Sequence, residues 1–440
     1  MAFGDQWRAQ ATGYAGDPNV RTPNIDRLAA ESVNFVNAVA GCPVCSPWRA
    51  SLMTGQYPLT HGVFVNDVPL SGRAVSLAEA CRTAGYRTAY IGKWHLDGRG
   101  RGNVTPPERR RGFEFWKALE CTHDYHHSRY YAGDSDAPLT WDGYDAFAQT
   151  EEACRYIRER AEGGPFLLVL SWGPPHAPYD TAPAAYRGLY DPDRLLLRAN
   201  VPEGSAAGAR RDLAGYYAHC TALDACVGRL RETIAAAGID ARTIFLFTSD
   251  HGDMLGSQGQ AKKQRPWEES IRVPFLLRYP DGLGDAGRDV EKIVDAPDIM
   301  PTLLRLAGVA VPQTVEGADL SAFARGEPPP PDDAALIMCA HPFGQFLRSQ
   351  GGREYRGVQT ARYTYVRDLN GPWLLYDNRR DPFQLDNLCR DPKMAGVRAD
   401  LEALLRRKLR ERSDAFLPGD EYVRQWGYVT DEDGTVPYTE

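Results

Sequence analysis

Apolar residues along the first three quarters of the chain fall into two alternating modes, short solid runs and longer periodic stretches. The runs Pro165 to Leu170 and Thr243 to Thr248 are rich in Phe, Leu, Ile and Val, and each follows a helical pattern. They read as parallel strands buried on both faces. Arg87 to Ile91 reads as another strand. Ser76-Leu77-Ala78-Glu79 has capping-box spacing, so the helix it opens should stop at Gly85, a residue that tolerates the left-handed cap. Thr22-Pro23-Asn24 leads into an apolar-periodic stretch from Ile25 to Phe35, which predicts a helix with Thr22 as N-cap and Pro23 in first position. Strands alternating with helices across residues 1–320 predict an α/β fold, a mainly parallel sheet sandwiched by helices.

At Gly326-Glu327-Pro328-Pro329-Pro330-Pro331-Asp332-Asp333 the composition turns to proline and acid, which suits an extended connector. A boundary there divides the chain into a main domain, 1–334, and a smaller C-terminal α+β subdomain, 335–440. Strand-like runs at Tyr355 to Val358 and Tyr363 to Val366 predict an antiparallel sheet in the second unit, followed by a basic helix from Gly396 to Arg412.

At 440 residues, 43 % apolar and 25 % charged, the chain has the make-up of a globular protein with a large core. A formal charge of −7 with no basic run argues against nucleic acid or an anionic membrane surface as partner. No apolar stretch approaches the ~20 residues that cross a bilayer, and residues 1–20 lack the charged start and apolar run of an export signal. As written, the chain is expected to be cytoplasmic. Nine irregularly spaced cysteines do not form a disulfide framework. Only Cys42 and Cys45 make a close pair, and a zinc site would need a second such pair.

Ligand sites of open parallel sheets lie beyond the carboxyl ends of the strands. There the three clearest strands deliver Gly92-Lys93-Trp94-His95, Gly173-Pro174-Pro175-His176 and Ser249-Asp250-His251-Gly252. One histidine after a strand is ordinarily a hydrogen-bonded loop residue; three strand ends bearing Lys, His and Asp together point to a site. Asp250 and His251, one carboxylate and one imidazole, suit a divalent cation.

The segment Cys45-Ser46-Pro47-Trp48-Arg49-Ala50-Ser51-Leu52-Met53-Thr54-Gly55 resembles the sulfatase signature, Cys-x-Pro-x-Arg followed by a small residue and Leu-x-Thr-Gly. The resemblance runs along nearly the whole chain. It takes in Thr22 to Leu28, Gly92 to Leu96, Ser249 to Asp253, Lys263 ahead of Glu268 to Pro274, and Asp298 to Leu304. It implies an alkaline-phosphatase-like fold and hydrolysis of a sulfate ester. The nucleophile would be a formylglycine made from Cys45 by a formylglycine-generating enzyme, with one hydroxyl of its hydrate attacking sulfur and the other expelling sulfate. Pro47 in a first helical turn would place residue 45 at a helix N-terminus, where free amides favour an anionic oxygen.

By the same resemblance, Arg49 would hold the hydrate, Lys93 and Lys263 would bind sulfate oxygens, His95 would assist collapse of the hydrate, and His176 would contact sulfate and protonate the leaving oxygen. Asp5, Gln6, Asp250, His251 and an oxygen of modified residue 45 would hold one divalent metal. Oxygen-rich ligation ranks calcium first, while His251 also suits manganese or magnesium. Two features depart from the family pattern. Asp5-Gln6 replaces the commoner pair of aspartates, and only Met1 to Gly4 precede Asp5, so the first strand is expected to be mostly absent, leaving ladder groups unpaired.

Between Cys121 and Tyr131 lies a polar-aromatic loop, Cys-Thr-His-Asp-Tyr-His-His-Ser-Arg-Tyr-Tyr. Such a loop can stack on and hydrogen-bond a sugar, or simply pack as an insertion. With a sulfated glycan as substrate, His123, His126 and Arg129 would set specificity. Two other readings compete. Phosphonate monoester or phosphodiester hydrolases of the same superfamily also use formylglycine and an Asp-Gln metal pair. A degenerate binding protein, its metal site disabled by the short first strand, is the non-enzymatic reading, and the joint presence of Cys45, Arg49, Lys93, His95, Asp250, His251 and Lys263 argues against it.

Overall fold

The computed structural model describes residues 1–330 and 333–439. Among them ten strands share one sheet: β1 (Ala2–Asp5), β2 (Val33–Val39), β3 (Arg87–Lys93), β4 (Phe115–Leu119), β5 (Arg129–Ala132), β6 (Leu139–Thr140), β7 (Phe166–Pro175), β8 (Phe245–Ser249), β9 (Phe275–Arg278) and β10 (Arg288–Asp295). Their order is β10-β2-β9-β8-β1-β7-β3-β4-β5-β6. All neighbours from β8 to β4 pair in parallel, whereas β9 and the β5–β6 edge run antiparallel. The predicted α/β class and mainly parallel sheet are therefore present.

Alternate residues of the central strands feed two apolar layers, the period-2 consequence of strand geometry. Phe3 and Val169 join Trp48, Leu52 and Ile299 on one face. Ala2, Leu168 and Leu170 join Ile157, Leu223 and Val227 on the other. Helices Cys45–Thr54 and Ala296–Leu306 thus cover the first face, and Asp145–Arg160 and Ala206–Ala236 the second.

A separate antiparallel sheet holds β11 (Ala335–Cys339), β12 (Tyr355–Gln359), β13 (Tyr363–Asp368) and β14 (Gly371–Asp377) in sequential order. Helix Ala395–Glu411 lays Leu401, Leu405 and Leu409 against Val358, Tyr365 and Leu375. Of the acidic, proline-rich connector, Pro331 and Asp332 lie outside the described residues. Asp333 is anchored, its carboxylate accepting Ile293 N at 2.7 Å and pairing with Lys292.

Three local expectations change. The helix expected to run to Phe35 ends at Ala30, and Val33–Val39 is a strand. Val33 and Phe35 alternate with Asn34 in the period-2 pattern of a strand, and β2 is claimed by β10 and β9 on either side. Thr22 does not cap the helix Pro23–Ala30. Asp224 does so from a distant helix, its carboxylate accepting Asn24 N at 3.2 Å and Ile25 N at 2.8 Å.

The third correction concerns the first strand. Ala2–Asp5 is a strand at the sheet's centre, with Ala2 opposite Leu170 on one side and Phe247 on the other, so its ladder is filled where the site begins. Four residues suffice because Ala2, Phe3 and Asp5 are buried from both faces. Beneath Met1, at the opposite end from the site, lies an apolar cavity of about 700 Å³ lined by Leu77, Phe166, Leu168, Ile234 and Phe245. The nine cysteines are all free and buried. Among the described residues no helix is long and apolar enough to cross a membrane.

Candidate active site

The neighbours β8, β1, β7 and β3 end side by side. At or just beyond their carboxyl ends stand Asp250 and His251, then Asp5 and Gln6, then His176, then Lys93 and His95. Cys45 is brought to the same place as the first residue of the helix Cys45–Thr54, after Val44 in extended conformation. Pro47 lies in that first turn, where the missing N–H leaves no intrahelical bond unmade. The Ser46 N–H is satisfied by Asn66 Oδ1 at 3.0 Å, and every residue of the helix is buried.

Cys45 Sγ is ringed at short range by His251 Nε2 at 3.3 Å, Lys263 Nζ at 3.3 Å, Asp5 Oδ1 at 3.6 Å and Lys93 Nζ at 3.8 Å. Lys93 Nζ donates to Asp5 Oδ2 at 2.5 Å. Arg49 reaches Asp250 Oδ2 at 3.0 Å and Asp5 Oδ2 at 3.4 Å. Its other amino group is held by Lys93 O and Ser171 Oγ, both at 2.7 Å. Burial and the Asp5 carboxylate push the Cys45 thiol up, but Lys263, Lys93 and His251 outweigh them and hold it well below the usual thiol range. Residue 45 therefore sits where an anion is stabilised.

The ligand atoms of Asp5, Cys45, Asp250 and His251 all lie within 4.8 Å of one another, and all four residues are buried. His251 Nδ1 faces its acceptor Gly252 O at 3.0 Å, which leaves Nε2 turned toward the two carboxylates. Burial and the facing Asp5 push the Asp250 carboxyl up, while Asp250 overrides burial and pushes His251 up. Two carboxylates, an imidazole and a small buried space fit a single divalent cation.

His176 and Lys263 meet at 2.9 Å through Nε2 and Nζ. His176 Nδ1 faces Ala177 O at 2.8 Å, so Nδ1 carries the hydrogen and Nε2 accepts from the ammonium. Burial and Lys263 accordingly hold this imidazole well below its usual range. On the other flank, His95 Nε2 lies 3.1 Å from Asp67 Oδ1, and Arg101 clamps the same carboxylate at 3.0 and 2.9 Å.

The three loop residues separate. The His123 ring stacks on His176 with centroids 4.5 Å apart and planes at 10°. His126 is exposed and meets Thr181 O at 2.8 Å. Arg129 is exposed at the start of β5 and borders, with Lys93, only a cleft of about 10 Å³. Asp67, Arg101, Asn66, Ser171 and Tyr179 belong to the site's surroundings without any signal in the sequence. Asp253 could have been found as the last residue of the Ser249–Asp253 motif.

The family model for sulfatases matches residues 2–309, and that for the C-terminal region of N-sulphoglucosamine sulphohydrolase matches residues 256–411. An ulvan-active sulfatase of Formosa agariphila is 44 % identical over 443 aligned positions, covering 99 % of this chain and 86 % of its own length. The solved structure of YidJ from Bacteroides fragilis, itself assigned as a sulfatase, superposes with a TM-score of 0.85 at 30 % identity, covering 96 % of this chain and 97 % of the other. A phosphonate monoester hydrolase of Agrobacterium radiobacter superposes with a TM-score of 0.75 at 26 % identity, over 92 % and 95 % of the two chains. The chain belongs to the sulfatase family, sulfuric ester hydrolases of the alkaline phosphatase superfamily.

Proposed function

We propose that this enzyme removes sulfate from a sulfated glycan, using formylglycine made from Cys45 and one divalent cation. The observation that carries the reading is the ring around Cys45: two lysines, an arginine and two carboxylates converge on a buried helix N-terminus. The glycan is favoured by the ulvan-active relative and by the polar-aromatic loop whose His123 stacks at the site.

Formylglycine supplies the nucleophilic oxygen that an unmodified thiol cannot usefully offer to sulfur. Asp5, Gln6, Asp250 and His251 would hold the cation, calcium ranking first, which supplies a fixed positive charge beside residue 45. Lys93 and Lys263 bind the non-bridging sulfate oxygens and stabilise charge that grows in the transition state. Arg49 fixes Asp5 and Asp250 from below. His95 holds a proton near residue 45. At the leaving-oxygen end the proton resides on Lys263, because His176 Nε2 is its acceptor here. His176 can act as acid only once Nε2 has itself taken up a proton, for which Lys263 is the donor in contact.

The Asp5-Gln6 pair keeps phosphonate monoester and phosphodiester hydrolysis as the rival reading. Sulfate and phosphate release from aryl, glycan and phosphodiester substrates, measured by ion chromatography on protein co-expressed with a formylglycine-generating enzyme, separates them. Sulfate release lost in Cys45→Ala supports the sulfatase reading; phosphate release in its place overturns it.

A further inference from the structure

Gln6 is the member of the proposed metal set that can present either an acceptor or a donor, since an amide can turn oxygen or NH₂ toward the cation. Its surroundings remove the ambiguity. Gln6 Nε2 donates to Asp253 Oδ2 at 2.5 Å, and Gln6 Oε1 accepts from Lys263 Nζ at 3.0 Å. Rotating the amide by half a turn would set oxygen against a carboxylate and NH₂ against an ammonium, so both contacts would become repulsive.

Asp253 is itself held at both carboxylate oxygens. Its Oδ1 accepts the backbone N–H of Leu255 at 3.1 Å and of Lys262 at 2.9 Å, and its Oδ2 also accepts the Tyr179 hydroxyl. It is fully buried, and four donors converge on it. Between His251 and Asp253 the chain passes so close to its neighbour that only Gly252 fits: a Cβ there would come within 2.0 Å of Glu269 O. Gln6 is braced at its other end as well: its backbone sits in the left-handed region at φ 73°, and its N–H donates to Asp250 Oδ1 at 2.9 Å.

We infer that Asp253, steadied by Tyr179, is a positioning residue that holds the Gln6 amide with its oxygen toward the cation and Lys263. This inference rests on the metal reading above. It explains how a glutamine at position 6 presents its oxygen, and not its NH₂, on the side of Lys263.

The test is a double-mutant cycle read as Mn²⁺ affinity, by calorimetry and electron paramagnetic resonance on the full chain stripped by chelator. In the natural Gln6 background, Asp253→Asn should weaken Mn²⁺ binding by about 10- to 100-fold, the usual effect of losing an outer partner of a metal ligand. In the Gln6→Asp background the same change should strengthen binding, because it removes a facing carboxylate. Tyr179→Phe, which deletes one hydroxyl, should weaken binding less than Asp253→Asn and provides the reading if the latter fails to fold. Equal effects of Asp253→Asn in both backgrounds, or unchanged affinity in Tyr179→Phe and Asp253→Asn alike, would overturn the inference. Failure of the unmutated chain to bind Mn²⁺, Mg²⁺ or Ca²⁺ would overturn the metal reading itself, and the inference with it.

Discussion

Asp67 Oδ1 lies 3.1 Å from His95 Nε2, and both residues hold positive φ, 63° and 61°. Two strained non-glycine residues facing each other are a costly arrangement that the surroundings must enforce. Arg101 does so on one side, through two bonds to Asp67, while Tyr438 covers its guanidinium with the ring centroid 3.4 Å away. On the other side Ser46 Oγ donates to His95 O at 2.8 Å. His95 Nδ1 is buried and has no hydrogen-bond partner in the protein.

Asp67→Asn should therefore act on His95. Burial and Lys93 oppose the imidazolium, but Cys121 and Asp67 raise its pKa from the ordinary 6.5 to about 9. A raised imidazole pKa stabilises the fold fully below pH about 6.5, and that contribution fades as pH rises through about 9. The Asp67 carboxyl is held well below its usual range, with His95 and Arg101 overcoming burial, so its contribution fails only in strong acid. Chemical denaturation across pH should show Asp67→Asn destabilised by about 1–3 kcal/mol near pH 6, with the gap to the unmutated protein narrowing toward pH 9 to what the Arg101 pair alone contributes. The basic limb of its activity profile should move to lower pH.

Removing the cation should lower stability as well as activity. Asp5 and Asp250 are fully buried and face one point. A chelated sample should melt at lower temperature, and added divalent metal should restore the melting temperature saturably. At a hundredfold excess over Kd the gain corresponds to about 2.7 kcal/mol. Melting curves that ignore both chelator and metal would contradict the site.

The two lysines should separate in their effects. Lys263→Ala removes the proposed sulfate contact and should lower kcat by about 10²- to 10³-fold, as loss of a donor to developing charge does. Lys93→Ala should lower kcat comparably and also destabilise the protein by about 3–5 kcal/mol, because Asp5 then loses the partner at 2.5 Å that balances it in the core. Steady-state kinetics paired with denaturation of each variant measures the difference.

His123 and Arg129 should differ in the same way that their positions do. His123→Ala removes a ring stacked on His176 and should raise KM for a glycan sulfate by about tenfold, roughly 1.4 kcal/mol of binding. Arg129→Ala, at the exposed start of β5, should change KM less than threefold for the same substrate.

Much of this site is legible in the sequence because strand ends concentrate chemistry. Lys93, His176 and Asp250 each follow an apolar run that could be recognised alone, and adjacency of β3, β7, β1 and β8 brings them together. Ser76 is legible because its cap is local: its side chain accepts Glu79 N, and Glu79 answers to Ser76 N. The cap on Pro23–Ala30 is not, since Asp224 lies 199 residues from Ile25 along the chain. The same limit hides Asp67 and Arg101, whose roles exist only through the pair they make behind His95. The misread helix through Phe35 shows a different failure. Residues Val33 to Val39 satisfy both periods over a short window, and the sheet decides between them.

The most direct test of the whole account is sulfate release under single-turnover conditions by protein matured in the presence of a formylglycine-generating enzyme. Mass spectrometry of the peptide that carries residue 45 reports the conversion in the same sample. The account predicts sulfate release from a glycan sulfate in proportion to the fraction of Cys45 converted, absent in Cys45→Ser and in unconverted protein. Release from unconverted protein at the same rate, or none from fully converted, metal-loaded protein across the panel, would contradict it.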